Sequence, residues 1–132
     1  MYSDPLADMF ARIMNGWRVK KKAIVIPYSR VKLEILKKFE EKGLVKNIKE
    51  GIGTGGFKEL QVELGYTEDQ EAVIDAIKRV SKPGRRLYAG WQDLKRVRQG
   101  FGFRVISTSR GVLFDHEARK RKLGGEIICE IT

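Results

Sequence analysis

Two stretches near the start of the chain carry apolar side chains at intervals of three and four residues, the spacing of a helix that buries one face. The first follows Asp4-Pro5, which suits a helix start because Asp can cap free amides and Pro fits the first helical position. Asn15-Gly16 is expected to end this helix. The second stretch follows Ser29, a capping residue, and is expected to end at Gly43. The apolar positions are Leu6, Met9, Phe10, Ile13 and Trp17, then Val31, Ile35, Leu36 and Phe39.

Three segments of the same half have the composition or the alternation of strands. Residues 23–26 are wholly apolar, residues 44–50 follow the second helix, and residues 57–64 alternate apolar and polar side chains like a half-buried strand. The glycine-rich residues 51–56 are expected to join the last two strands as a hairpin loop. The predicted order is α-β-α-β-β, and the polar residues 65–70 mark a domain boundary.

The second half is predicted to be mostly β with one late helix. Asp115 can cap that helix, which is expected to run to about Lys122. Residues 72–80 fit either a short helix or a strand. We therefore expect an α+β fold with two small domains, residues 1–66 and residues 67–132. The other expected strands span residues 87–88, 103–107 and 126–131.

The chain is strongly basic. Its 132 residues carry 27 Lys and Arg against 17 Asp and Glu, a net charge of +10. Solubility alone is served by a net charge of about 2–8 in a small domain, so the excess points to a polyanionic partner. Residues 71–132 hold 14 of the basic and 7 of the acidic side chains, so most of the excess lies in the second half.

Composition also excludes several classes of protein. One cysteine, Cys129, and one histidine, His116, cannot furnish an internal disulfide or a four-ligand zinc site. The longest strongly apolar stretch is residues 23–26, whereas a membrane span needs roughly 18 apolar residues. The N-terminus lacks the pattern of a signal peptide. We expect a cytoplasmic protein without membrane association, metal or cofactor.

Two local motifs resemble sites that carry chemistry but have simpler interpretations. Gly51, Gly53 and Gly56 match G-x-G-x-x-G, yet an alternating strand follows them where a dinucleotide site needs a helix. A P-loop would need Lys where Phe57 stands. Residues 115–117 group Asp, His and Glu, but a capped helix start accounts for both acids. No catalytic residue is predicted.

Cations and aromatic rings of the second half suit a nucleic-acid surface. Residues 119–122 are four consecutive cations that cannot all pair locally, so Lys120 and Lys122 are predicted to face solvent or a phosphate. Arg86 is followed by Tyr88, one of four aromatic residues interleaved with these cations. Most of the four rings are expected to pack in the core, but one exposed ring would give bases a stacking surface. The run at residues 20–22, three lysines, is equally compatible with a solvated loop. Other members of this group are Arg85, Arg96, Arg98, Trp91, Phe101 and Phe103.

The most specific local feature is the run Ser107, Thr108, Ser109, Arg110 and Gly111. Three adjacent hydroxyls between two apolar strands are poor core material. They can donate to and accept from phosphates, 2′-hydroxyls and base edges, and a glycine lets a backbone come close. A polar turn alone would not need three hydroxyls and an Arg.

Four motifs in the same order resemble bacterial-type small-subunit ribosomal protein eight, a family within the universal small-subunit protein eight group. They are residues 4–16 (DPLADMFARIMNG), 79–88 (RVSKPGRRLY), 107–112 (STSRGV) and 123–129 (LGGEIIC). The resemblance covers the whole chain. It departs at Arg110, where the family commonly has lysine, a change that keeps the charge but alters the donor geometry.

The resemblance implies a two-domain α+β protein of the small ribosomal subunit that binds the central domain of small-subunit ribosomal RNA early in assembly. It implies a strand within residues 72–80, neighbouring small-subunit proteins as further partners, and a monomer when free. The implied RNA-binding residues are Ser107, Thr108, Ser109, Arg110, Gly111, Tyr88, Gly124 and Glu126, with weaker contacts from Asp4, Asn15, Ser29 and Lys32.

A carboxylate is repelled by phosphates, so Glu126 is expected to accept from a base or to orient a nearby Arg or Ser. The runner-up function is an RNA-binding translational repressor, which is compatible with the first because some family members resemble repressors of their own operon's messenger RNA. A nucleic-acid enzyme ranks far behind, because no paired carboxylates, histidine pair or metal set occurs at plausible spacing. With 2 Asn and 4 Gln against abundant Lys, Arg and Glu, the composition also suggests a thermophilic source.

Overall fold

The computed structural model describes residues 4–74, 76–94 and 102–132. Arg96, Arg98 and Phe101 lie outside the described residues. The chain forms two compact units. The N-terminal unit is Asp8–Val73, and the C-terminal unit is Ile74–Thr132 together with Met1–Ala7. The division into domains at residues 1–66 and 67–132 stays a prediction.

Helices and antiparallel sheets build both units, which confirms the α+β class. The first five elements follow the predicted order α-β-α-β-β. The described helices are α1 (Pro5–Arg18), α2 (Arg30–Glu41) and α3 (Asp115–Lys120), and Trp91–Asp93 form a short 3-10 helix. The strands are β1 (Ala23–Pro27), β2 (Val45–Ile52), β3 (Lys58–Leu64), β4 (Ile77–Arg79), β5 (Tyr88–Ala89), β6 (Phe103–Thr108), β7 (Gly111–Phe114) and β8 (Gly125–Ile131).

The N-terminal unit contains a three-stranded antiparallel sheet in the order β1-β3-β2. Every second residue of β3 is buried, as predicted, and Ile24 and Ile26 of β1 lie opposite Val62 and Leu60. The apolar faces of α1 and α2 are buried in the same unit. The rings of Phe10 and Phe39, one from each helix, have their centroids 6.0 Å apart.

Two predictions for these helices are wrong, one for α1 and one for α2. In α1, Asn15-Gly16 does not end the helix, which continues to Arg18. Gly16 is buried, and a Cβ at this position would lie 2.6 Å from the side chain of Leu64. The indole of Trp17 donates to the carbonyl of Gly65 at 3.1 Å, so tertiary packing overrides the local stop signal.

In α2, Val31 is 48% exposed, and Lys32 takes the predicted place of Val31 on the buried face. The predicted caps hold at both helix starts. Asp4 accepts from the amide of Ala7 at 3.2 Å, and Ser29 accepts from that of Lys32 at 3.1 Å.

The C-terminal unit contains an antiparallel sheet in the order β4-β8-β6-β7, with β5 paired to another part of β8. β4 confirms the strand expected within residues 72–80. Ile106 and Leu113 of this sheet pack with Ala118 of α3 and with Leu94. The helix α3 therefore covers one face of the strands β6 and β7, and Ile127 of β8 packs against the same cluster.

Asp115 is not the cap of α3, which corrects the prediction. It is the first residue of the helix, is buried, and accepts from Arg119 at 3.3 Å. The capping interaction comes from Glu117, whose carboxylate accepts from the amide of Phe114 at 2.9 Å. The helix ends at Lys120, two residues before the predicted end, and Lys122 has a φ of 56°.

Candidate nucleic-acid interface

Sheet register brings three of the predicted site residues into one row. Glu126 of β8 lies opposite Tyr88 of β5 on one side and opposite Ser107 of β6 on the other. Ser107 in turn lies opposite Val112 of β7. Residues directly opposite each other on antiparallel strands project from the same face, so these side chains form a row across four strands. We call Tyr88, Glu126 and Ser107 the polar row.

The polar row lies on the face of the sheet that α3 does not cover. Ile106 is fully buried against Ala118 of that helix. Ser107 follows Ile106 in the same strand, and successive strand side chains point to opposite faces. At one end of the row Tyr88 is 70% exposed, which leaves its ring open to a partner.

The predicted hydroxyl segment forms the β6–β7 hairpin, and its three hydroxyls differ in role. Thr108 uses its hydroxyl within the turn, where it donates to the carbonyl of Gly111 at 2.8 Å and accepts from the amide of Arg110 at 3.1 Å. Ser109 and Arg110 are exposed at the tip. Gly111 has a φ of 101°, a conformation that side chains with a Cβ rarely adopt. Thr108 and Gly111 thus shape the turn that presents Ser109 and Arg110.

Two consecutive glycines, Gly124 and Gly125, let the start of β8 lie close to the backbone of Ser107 and Ala89. A Cβ on Gly125 would lie 2.0 Å from the carbonyl oxygen of Ser107, and one on Gly124 would lie 2.5 Å from that of Ala89. Both distances are far below van der Waals contact. The predicted site residue Gly124 therefore has a packing role in this structure: it allows close approach of the backbone around Ala89.

Glu126 holds a neighbouring segment in place, as its expected orienting role requires. Its carboxylate accepts from the hydroxyl of Ser81 at 2.6 Å and from the guanidinium of Arg86 at 3.0 Å. Burial alone would raise the pKa of Glu126. The hydrogen bonds from Ser81 and Arg86, and the positive charges of Arg86 and Arg79, outweigh that effect and lower the pKa below its ordinary value.

Ser81 is a site residue that the sequence analysis did not predict. It is fully buried, and its hydroxyl accepts from the amide of Leu87 at 3.0 Å while donating to Glu126. It thereby connects β8 to the residue that precedes Tyr88. Ser81 lies within the motif of residues 79–88 and just before the turn of residues 82–85, and neither feature predicts a long-range hydrogen bond.

The cations at residues 119–122 separate into two groups. The guanidinium of Arg119 forms hydrogen bonds within the protein: it donates to the carbonyl of Leu94 at 2.9 Å and to the carboxylate of Asp115 at 3.3 Å. Lys120, Arg121 and Lys122 are exposed. The ammonium of Lys122 lies 5.8 Å from the centre of the Trp91 ring. Because α3 covers the face opposite the polar row, these exposed cations form a separate positive surface.

The predicted contacts of the first domain have local structural roles or lie exposed on their own elements. Asp4 is grouped with the C-terminal unit, where it pairs with Arg79 at 3.1 Å, and its carboxylate also caps α1. Ser29 caps α2, and Asn15 is exposed on α1. Lys32 is 5% exposed, its ammonium donates to the carbonyl of Pro27 at 3.4 Å, and burial lowers its pKa.

The acid-base residues 115–117 are used structurally: the two acids bond within the helix region, and the ring of His116 stacks on that of Phe114. Cys129 is fully buried. Across residues 4–74, 76–94 and 102–132, no group of three or more His, Cys, Asp or Glu side chains could hold a metal ion. None of the described helices is long and apolar enough to cross a membrane.

The chain matches the model of a family described as ribosomal protein S8 over residues 4–132. It is similar to proteins named small ribosomal subunit protein uS8. The relative from Rhodopirellula baltica is 44% identical over 133 residues and covers 100% of both chains. The relative from Thermus thermophilus is 45% identical over 138 residues, and the one from Sorangium cellulosum 39% over 131 residues, each covering 99% of both chains. This is a family of structural ribosomal proteins, not of enzymes. The chain belongs to the ribosomal protein S8 family.

Proposed function

We propose that this chain is a constituent of the small ribosomal subunit that binds the central domain of small-subunit ribosomal RNA and supports assembly of the subunit. The observation that carries the proposal is the polar row of Tyr88, Glu126 and Ser107, which continues into the exposed tip at Ser109 and Arg110. Membership of a ribosomal protein family supports the ribosomal part of the proposal.

The row offers groups that are held in place and still open to a partner. The hydroxyls of Ser107 and Ser109 bond no other side chain or backbone group within the described parts of the chain. Hydroxyls of this kind can pair with 2′-hydroxyls and base edges, and the exposed ring of Tyr88 can stack on a base. Arg86 donates one N–H to Glu126. A guanidinium has five N–H donors, so others can bind a partner. Each of these groups suits an irregular or single-stranded RNA segment.

The surface formed by Lys120 and Lys122 complements the row. Exposed lysines act on phosphates without regard to base identity, so this surface contributes affinity and salt dependence. The proposal therefore assigns discrimination to the row and its hairpin, and general attraction to the lysines.

A titration of the protein against three separate fragments of small-subunit ribosomal RNA, its 5′, central and 3′ domains, tests the proposal. We expect the central fragment to bind at least ~10-fold more tightly than the other two, and its log affinity to fall linearly with log salt. Equal affinity for all three fragments would overturn the central-domain assignment. A salt slope near zero would overturn the phosphate contacts.

A further inference from the structure

The strand β1 lies at one end of the three-stranded sheet, so only one of its two edges is paired within the described sheet. Its sequence is Ala-Ile-Val-Ile-Pro, and β-branched residues of this kind favour strands. A strand at the end of a sheet presents amide and carbonyl groups to which another chain can add a strand. An open groove lined by Arg12 and Asn15 of α1 and by residues 23–25 of β1 gives access to this edge.

The hydrogen bonds that flank β1 identify which of its backbone groups lie on the free edge. Alternate residues of an antiparallel strand bond to the same neighbouring strand. The carbonyl of Lys22 accepts from the amide of Leu64 at 2.9 Å. The amide of Tyr28 donates to the carbonyl of Lys58 at 3.1 Å. The even-numbered positions of this segment therefore bond toward β3, and the odd-numbered positions direct their backbone groups to the free edge.

Charged side chains bind two carbonyls of the free edge. The guanidinium of Arg12 donates to the carbonyl of Val25 at 3.1 Å. The ammonium of Lys32 donates to the carbonyl of Pro27 at 3.4 Å, and proline has no amide hydrogen to offer a new strand. Asp8, one turn before Arg12 in α1, accepts from the same guanidinium at 3.0 Å and so orients it. We call Asp8, Arg12 and Lys32 the edge cluster.

The members of the edge cluster are coupled electrostatically. Burial lowers the pKa of Lys32, the negative charge of Asp8 opposes that effect, and the positive charge of Arg12 adds to it. Lys32 is buried on α2, whereas Asp8 and Arg12 are about half exposed on α1. Arg12 is therefore the member that can be removed to uncover the carbonyl of Val25 while the buried lysine stays in place.

We propose that the edge cluster keeps this protein from pairing with a second copy of itself through β1. Two copies of β1 that meet antiparallel about Val25 would exchange hydrogen bonds between their Val25 residues, and Ala23 of each copy would donate to Pro27 of the other. Both of the carbonyls that this pairing needs are already bound by charged donors, which would lose their acceptors. The side chain of Val25 is 43% exposed and would be buried against its copy, so pairing strengthens once the cluster is broken.

The test compares Arg12→Ala with a control, Arg30→Ala. The control removes a guanidinium of the same unit that pairs with Glu34 of its own helix and is 89% exposed. Sedimentation equilibrium of each full-length variant over a series of protein concentrations gives its self-association constant. We expect Arg12→Ala to self-associate at least ~10-fold more tightly than the wild type and the control to match the wild type, because only Arg12→Ala frees an edge carbonyl. Equal constants for the two variants would overturn the inference.

Arg12→Ala combined with Val25→Lys separates strand pairing from association of a damaged fold. The introduced charges would lie directly opposite each other in the paired strands and repel. We expect the combined variant to return to the self-association constant of the wild type. If it associates as tightly as Arg12→Ala alone, association does not use β1 and the inference is wrong.

Hydrogen exchange of the Arg12→Ala variant at low and high protein concentration locates the contact. We expect the amides of Ala23 and Val25, which lie on the free edge, to exchange several-fold more slowly at high concentration. The amide of Ile24, which bonds toward β3, is the internal control and should not change. Association without slower exchange at Ala23 and Val25 would overturn the inference, and neither result depends on RNA binding.

Discussion

The polar row and the exposed cations after α3 belong to the same unit but are built differently. Ser107 and Glu126 lie on paired strands, and the carboxylate of Glu126 is fixed by two hydrogen bonds. Lys120 and Lys122 lie at the end of a helix of 6 residues, and the ammonium of Lys122 lies 5.8 Å from the centre of the Trp91 ring. One region has its polar atoms positioned in advance, whereas the other presents charge on long side chains.

This difference indicates how one small unit can combine specific and general attraction to RNA. Groups held by strands lose little conformational freedom on binding, and they reject a partner that leaves them unpaired. Lysine side chains adapt to many phosphate positions, so they favour any RNA. Four predictions, from the largest expected effect to the smallest, test this division.

Gly125→Ala should damage the row most, because the added Cβ would lie 2.0 Å from the carbonyl oxygen of Ser107. We expect β8 to move away from β6 and the protein to lose about 3 kcal/mol of unfolding free energy, together with RNA discrimination. Urea unfolding and RNA titration measure the two effects. Gly51→Ala is the control, because a Cβ there meets nothing within 4 Å. An unchanged unfolding midpoint for Gly125→Ala would contradict the close approach.

Ser107→Ala made with Ser109→Ala should leave the fold intact and weaken binding of the cognate RNA. Neither hydroxyl bonds another group of the described chain, so stability should change by less than ~0.5 kcal/mol. Binding should weaken by about 1–3 kcal/mol for each set of lost hydrogen bonds, since RNA groups would be dehydrated without partners. Titration against cognate and scrambled RNA measures the loss. An equal loss for both RNAs would mean that these hydroxyls do not discriminate.

Glu126→Gln should lower stability in a way that depends on pH. The folded protein holds the pKa of Glu126 below its ordinary value, so the ionised carboxylate stabilises the fold above the unfolded pKa. This contribution is lost as the pH falls through the folded pKa. We expect a difference of about 1 kcal/mol or less near pH 7, since Arg86 is half exposed, shrinking below about pH 5.

Urea unfolding of wild-type protein and of the Glu126→Gln variant at pH 7, 5 and 3.5 measures this pH dependence. Glutamine keeps the shape and an acceptor oxygen for Ser81, so the comparison isolates the charge. A difference that stays constant over this range would show that the charge of Glu126 does not stabilise the row.

Lys120→Ala made with Lys122→Ala should have the smallest effect on specificity. We expect a loss of about 1 kcal/mol or less at physiological salt, and a salt slope shallower by up to about 1.4–1.8, because two exposed charges leave the surface. Titration of both RNAs at two salt concentrations measures both quantities. If the lysine variant loses preference for the cognate RNA and the Ser107→Ala, Ser109→Ala variant does not, then the lysines, and not the polar row, discriminate between RNAs.

Much of the fold followed from local patterns, and the exceptions have a common cause. Strand alternation in β3 and the caps at Asp4 and Ser29 were predicted correctly because they depend on neighbours in sequence. The stop expected at Gly16 and the buried position expected for Val31 were wrong. Contacts with distant strands and backbone decide whether a helix continues and which of its residues are covered.

The candidate site shows the same division. The hydroxyl segment stood out in the sequence, but its pattern did not separate Thr108, which closes the turn, from Ser109, which is exposed. Ser81 was missed because its partner, Glu126, lies 45 residues away.

The sequence by itself determined the family, the α+β class, the basic character of the second half and the residue types available at the candidate interface. These properties depend on composition, on local spacing and on ordered motifs. Only the tertiary structure decided that Tyr88, Glu126 and Ser107 share one face, and that α3 covers the other. The physical reason is strand register: a shift of one residue would turn Ser107 toward the buried side, and register is set by pairing between strands far apart in the chain.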